Sequence, residues 1–292
     1  MLEAHPSHHT NLGALDIRRA LPVRQRRMVG PWCFLDRYGP MSFVDGKPMD
    51  VAPHPHIGIQ TVSWLLDGEV LHQDSLGFEA MVQPHGVNVM TAGSGIAHAE
   101  QTPDANRGRL DGVQLWVALP DADRHVAPAF EHVVEVPRLE LRGGAAQVFI
   151  GALGDAASPA RHFSEIVGAD VNVRDVVTLP LAREFEHALL LLAGDCEADG
   201  EPIAADTLYY LAHGRDEISA RTRAGARLLL LGGVPFPEKV LMWWNFVARD
   251  AGELARAREE WESGRFGAVR GYRGERIAAP PLHHVAEPNP AS

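Results

Sequence analysis

The sequence predicts an all-β protein: two jelly-roll-like β-barrels in tandem, followed by one helix near the C-terminus. Three observations point there. Nine short runs rich in β-branched, aromatic or leucine residues alternate with Gly, Pro and Asp turn signals, the pattern of sandwiches and barrels. The runs of the first half resemble those of the second. One segment, beginning at Asp250, has helical character.

In chain order, "MLEAHPSHHT" reads as a frayed end whose histidines are too mobile to be ligands. "RRALPVRQRR" concentrates Arg18, Arg19, Arg24, Arg26 and Arg27, but the chain's formal net charge of −11 repels phosphate backbones. The cluster is therefore expected to be a solvated face or a subunit contact, and direct nucleic-acid binding is not expected. In "VAPHPHIGIQ", Pro55 biases the backbone to extended geometry, so His54 and His56 project to one face. Strands are expected over "TVSWLLD", "GVNVMTAG" and "VQLWVALP" in the first half. "VVEVPRLEL", "AQVFIGAL", "VNVRDVVTL", "HALLLLAG", "TLYYLA" and "ARLLLLGG" follow.

The repeat emerges when "WLLDGEV" is laid over "LLLAGDC", pairing Gly68 with Gly194; "VMTAGSG" then meets "YYLAHGR", and "VQLWVALP" meets "LLLLGGVP". Punctuation by proline and glycine in "EHVVEVPRLELRGG" suggests a division into residues 1–132 and 133–292, the second block carrying the helix. In that helix Asp250 is the expected N-cap with Glu253 three residues on. Leu254, Ala257 and Trp261 share a face, and Gly264 is the stop. The two cysteines, Cys33 and Cys196, form no disulfide framework, which fits the reducing cytoplasm. No apolar run of membrane length and no signal peptide is expected, so a membrane partner is not.

Chemistry concentrates in the first half. "TAGSGIAHAEQTP" repeats the i, i+2 spacing with His98 and Glu100. Two strands of one barrel, each with such a pair, can converge on one ion. Three neutral imidazoles and a carboxylate form an N/O donor set, free of thiolate, suited to iron, manganese, nickel, copper or zinc. His72, on the strand after the HPH strand, is the candidate supporting residue, with a surface hydrogen bond to Asp74 as its alternative role. Met90 and Trp116 read as barrel wall. Ligation requires neutral imidazole, so metal should be lost below about pH 5.5.

"HPHIGIQTVSWLLDGEV", "MTAGSGIAHAE", "GVQLWVALP" and "WWNFVAR" together resemble the pirin family of the cupin superfamily, with matching pieces from "VGPWCFLDRYGP" to "WESGRFG". The resemblance implies a bicupin with one mononuclear metal, usually iron, in the N-terminal barrel, held by His54, His56, His98 and Glu100. Cobalt is a further metal to test. Some relatives open flavonols with dioxygen and release carbon monoxide, and in these a ligand glutamate doubles as the base, here Glu100. Other relatives act as iron-dependent regulators through a protein partner without turnover. The chain departs from the family pattern at Ile57, Gln60, His85, Asn88, Val89 and Ser94. Gln60 would supply a neutral amide to the pocket, and Val89 would widen it. In the second half, the places of the four ligands fall on Pro180, Ala182, Ser219 and Arg221, so that barrel is expected to be metal-free.

Overall fold

In the computed structural model, which describes residues 2–12 and 15–282, two sets of seven strands succeed one another in the same order. The first set is β1 (Asp50–His56), β2 (Ile59–Gly68), β3 (Val70–Asp74), β4 (Glu79–Val82), β5 (Val87–Thr91), β6 (Ile96–Gln101) and β7 (Arg109–Ala118). The second is β8 (Val176–Pro180), β9 (Glu186–Gly194), β10 (Cys196–Ala198), β11 (Glu201–Ile203), β12 (Thr207–Leu211), β13 (Glu217–Arg221) and β14 (Ala226–Gly233). Each set forms two sheets. One pairs in the order β1-β6-β3-β4, and its counterpart in the order β8-β13-β10-β11. The other holds β5-β2-β7 at its centre, and its counterpart β12-β9-β14. The weak repeat in the sequence is thus a repeated topology.

Its anchor is the glycine pair. Gly68 and Gly194 end β2 and β9 with φ of 87° and 80°. A Cβ at either would lie 2.1 Å from a backbone carbonyl oxygen, that of Arg109 or of Gly225. Both turns need a residue with no side chain at a positive φ.

The chain divides into two compact units, and neither is a continuous block. One comprises residues 2–9, 18–36 and 133–236; the other takes 37–132 and 237–282 with most of 10–17. Relative to a division at residue 132, segments are exchanged at both ends. The helix α1 (Ala251–Glu262) has Asp250 as its N-cap, accepting from the Glu253 amide, and Gly264 lies just beyond its end. It packs Leu254, Ala257 and Trp261 against Ile57, Ala97 and Ala99. The helix therefore belongs to the unit of β1–β7 rather than to the C-terminal barrel. An apolar face is indifferent to sequence distance, and the apolar surface it covers lies on β6 and on Ile57, just past β1.

The N-terminus also differs from expectation. Glu3–Pro6 is a strand paired antiparallel with β12, in the unit of β8–β14. His5 is buried there, 3.1 Å from a Glu3 carboxylate oxygen. Backbone pairing with an available sheet edge outweighs the polar composition of this stretch. Three of the clustered arginines are used in the same unit. Arg19 makes a bidentate pair with Asp36 at 2.7 Å, Arg18 lies 3.5 Å from Asp206, and Arg26 stacks 3.6 Å over the Tyr210 ring. Cys33 and Cys196 are buried free thiols.

The second barrel is filled with aliphatic side chains. His72 and Ala198 both stand four residues after their anchor glycine; His72 pairs with Glu100, and Ala198 with Ala220. Continuing across the sheet, Ile218 takes the place of His98, Leu179 that of His54, and Leu181 that of His56. All five replacements sit in one buried apolar cluster. The places expected from sequence, Pro180, Ala182, Ser219 and Arg221, are one residue off. A one-residue slip along a strand exchanges its two faces.

Candidate metal centre

β6 lies between β1 and β3. His98 stands directly across from His54 on one side and Asp74 on the other; Glu100 stands across from His72. A register shift between His98 and Glu100 brings Glu100 opposite Val51 on β1. Alternation along each strand then turns His54, His56, His98 and Glu100 into the barrel, all buried. Their polar atoms need partners, and the surroundings supply them.

His56 and His98 approach most closely, Nε2 to Nε2 at 3.1 Å. The His54 ring centroid is 4.3 Å from that of His98 and 5.0 Å from that of His56. One ligating atom each from His54, His56 and His98 lies within 4.8 Å of the others. A second such group, of His72, His98 and Glu100, shares His98 with the first. The four residues singled out in the sequence thus occupy two overlapping groups, and His72 offers a donor atom of its own. Its Nδ1 is 3.4 Å from His98 Nδ1, its Nε2 3.3 Å from Asp74 Oδ2, and its ring stacks on Phe130 at 4.4 Å.

The tautomers are set from behind. His54 Nδ1 faces the Ala52 carbonyl at 2.9 Å, and His56 Nδ1 faces the Asn245 carbonyl at 3.0 Å. Nδ1–H donates to each carbonyl, which leaves Nε2 as the ligating nitrogen. Burial pushes His54 down to about 4 and takes His56 and His98 well below the ordinary histidine value. Repulsion among the rings, each disfavouring a proton on its neighbours, adds to this. Burial raises the Glu100 carboxyl, while His72 and Ser63 pull the other way. Ser63 Oγ sits 3.3 Å from Glu100 Oε1 and 2.9 Å from the Gln114 amide oxygen. The single hydroxyl proton serves one acceptor; it serves Glu100 if the Gln114 amide is turned to donate to Ser63. Three neutral imidazoles beside a carboxylate fit a divalent ion of the iron, nickel, copper or zinc class, as an N/O set without thiolate.

Two expectations about the wall need correction. Ser63 touches Glu100, and Thr61 shares its face, so Gln60 and Val62 face away from the site. Gln60 instead donates to Thr91 Oγ1 at 3.0 Å. Val89 is the cross-strand partner of Val62 and also faces away, so it widens nothing. Met90 and Trp116 pair with Thr61 on the site-facing side, and Trp116 meets the His56 ring edge-on at 5.1 Å.

The Asn245 carbonyl is the contribution sequence reasoning missed. It comes from the turn between strands Leu241–Trp243 and Phe246–Ala248, inside "WWNFVAR". Trp244 holds φ at 52° in that turn. A backbone acceptor leaves no side-chain signature; the only signal was the motif itself. The hairpin packs on the connection between β1 and β2 at Gly58, whose φ is 70° and whose Cβ, if present, would stand 2.1 Å from the Val247 carbonyl oxygen.

Comparison with known proteins follows the same lines. Residues 14–117 match the Pirin family model, and residues 168–267 match the Pirin C-terminal cupin domain. A Pseudomonas aeruginosa protein named "Putative quercetin 2,3-dioxygenase" is 46% identical over 275 residues, which cover 92% of this chain and 87% of that one. The crystal structure of a quercetin 2,3-dioxygenase from Acinetobacter baumannii superposes with a TM-score of 0.92 at 41% identity, covering 97% of this chain and 96% of that one. A bacterial pirin from Escherichia coli, solved in complex with nickel(II), shares the fold at a TM-score of 0.65 and 18% identity, covering 80% of this chain and 100% of that one.

Proposed function

The chain belongs to the pirin family, and on that premise we propose that it is a metal-dependent dioxygenase for flavonols, with one mononuclear divalent centre per chain. His54, His56, His98 and Glu100 would hold the ion. Iron is the expected metal; manganese, nickel, cobalt, copper and zinc suit the same donors. The observation that carries this reading is the buried meeting of three neutral imidazoles with a carboxylate on the same strand as one of them. The names of the relatives supply the reaction class.

When bound, the metal supplies Lewis acidity and a template for substrate and dioxygen. The chain's own residues do the rest. Glu100, its carboxyl raised by burial, takes the proton of the flavonol 3-hydroxyl. Ser63 steadies the Glu100 oxygen, and the Asn245 carbonyl keeps the His56 tautomer that frees Nε2. Phe130 and Trp116 present flat apolar surface to a planar substrate. His72, paired with Asp74, holds the far side of His98. Buried free thiols accord with a reducing compartment, the cytoplasm.

The test is oxygen uptake after anaerobic metal loading. Flavonol-dependent, saturable uptake with release of carbon monoxide is expected, and it should be absent from the His56→Ala, His98→Ala double variant. Metal binding without uptake under any of the six metals would overturn the dioxygenase reading and favour a regulatory role through a protein partner.

A further inference from the structure

The second barrel has lost the ligand residues but keeps a cavity of about 530 Å³, within the range of small-molecule sites. It opens at the barrel end where β8 leads into β9. Its walls are mostly apolar, with Leu153, Val167, Leu181 and Phe185 facing inward. One side chain breaks the pattern. From Phe185, just before β9, the inward positions run on through His187, Leu189 and Leu191, so a histidine stands where leucine packing is the rule. His187 is 1% exposed, and the acceptor beside its buried Nδ1 is the Phe185 carbonyl, too poorly aligned for a full hydrogen bond. A buried ring so weakly served leaves bonding capacity that a ligand or water can complete.

The surroundings make room for the ring. Gly232 stands directly across from His187, and a Cβ there would come 2.5 Å from His187 Cδ2. Phe185 lies tilted against the imidazole at 5.9 Å between centroids. The polar groups at the rim are His162 and the carboxylates of Glu165 and Glu184; among the described residues no lysine or arginine lines the cavity. Burial holds the imidazole neutral, its pKa lowered to about 4. The Phe185 carbonyl opposes this shift and the charge of Arg215 reinforces it. An anionic ligand would therefore meet a neutral imidazole and two carboxylates.

We propose that this cavity is a second ligand site, taking a small uncharged hydroxyaromatic molecule whose ring lies against Phe185 and whose hydroxyl bonds to His187. A hydroxyl both donates and accepts, so it satisfies either tautomer of the neutral ring. The site is independent of the metal centre and of the reaction assigned there.

Phenol is the probe and benzoate the anionic comparator, on the full chain loaded with diamagnetic zinc. Phenol should shift the His187 ring nitrogen resonances saturably, with a dissociation constant on the order of 1 mM. Benzoate should bind at least about tenfold more weakly. His187→Phe keeps the ring volume, removes the hydrogen bond, and should weaken phenol about tenfold by calorimetry. Should that buried substitution unfold the barrel, Ala152→Trp carries the test. Ala152 is an exposed residue of the cavity wall, and a large side chain there should narrow the mouth and weaken phenol about tenfold or more, with the melting temperature unchanged. His187 resonances unmoved by phenol, equal shifts with benzoate, or an unchanged phenol affinity in a folded Ala152→Trp would overturn the proposal.

Discussion

Glu100 is asked to do two things, and one substitution separates them. Glu100→Gln keeps an oxygen that can face the metal but removes the proton acceptor. At full metal occupancy, flavonol turnover should fall ~10²–10⁴-fold, the usual worth of general-base assistance. The deficit should shrink as pH rises, because the flavonol then arrives already ionised. A rate–pH profile of both proteins at matched metal content checks this; equal rates at neutral pH would remove Glu100 as the base. The histidines set a second pH dependence. His54 titrates near 6.5 when unfolded and at about 4 when folded. As pH falls from about 6.5 towards 4, the unfolded chain binds protons that the native metal-free protein refuses, so native stability declines. For His54 alone the loss is on the order of 3 kcal/mol. His56, His98 and His187 push the same way; Glu100, raised, opposes them above its ordinary range. Urea unfolding of metal-free protein across this window should show the decline. For the same reason protons compete weakly for the ligand nitrogens, so release should come below the value of about pH 5.5 that the sequence predicts, where a bound cation alone lowers the histidines. Half-release measured at pH 6 would contradict the buried geometry. The i, i+2 spacing made the ligand candidates legible in sequence. The orientation of Gln60 and Val89 was not legible, because it depends on the register of β2 against β5.

Among the elements, the hairpin from Leu241 to Ala248 matters most to the site, since its turn fixes the His56 tautomer. Gly58→Ala places a methyl against the Val247 carbonyl and demands a positive φ of an L residue. The hairpin must retreat, and His56 loses its backbone acceptor. Loss of such a supporting bond typically costs about 10–100-fold in metal affinity. Chelator competition should show that loss in Gly58→Ala. Asn245→Ala, which keeps the carbonyl, should bind like the parent protein. If both variants bound metal equally well, the carbonyl would have no role. The helix was readable to its caps because capping and the Leu254–Ala257–Trp261 face are local properties. Its membership of the first unit was not, since nothing in its own residues names the surface it covers.

For the molecule as a whole, the shared strand order of the two barrels argues for one ion per chain. Where one barrel has His54, His56, His98 and Glu100, the other has Leu179, Leu181, Ile218 and Ala220, packed in an apolar core. Elemental analysis of the reconstituted protein should find about one metal per chain, falling towards zero in the His56→Ala, His98→Ala variant while circular dichroism remains that of a folded β protein. Two metals per chain, or an undiminished content in the variant, would contradict the assignment. The repeat could be seen from Gly68 and Gly194 because both turns impose the same backbone demand. The partition of the chain could not, because pairing between distant segments leaves no mark at either one.

The exchange of segments between the units bears on how the protein is made. Residues 2–9 emerge from the ribosome some two hundred residues ahead of their pairing partner, β12. The site of the first unit lacks its Asn245 acceptor and its covering helix until residue 262 has emerged. Domains ordinarily fold one after another as they are synthesised. Here both units wait for distant segments, so a nascent chain stalled near residue 150 should hold neither a finished barrel nor a metal.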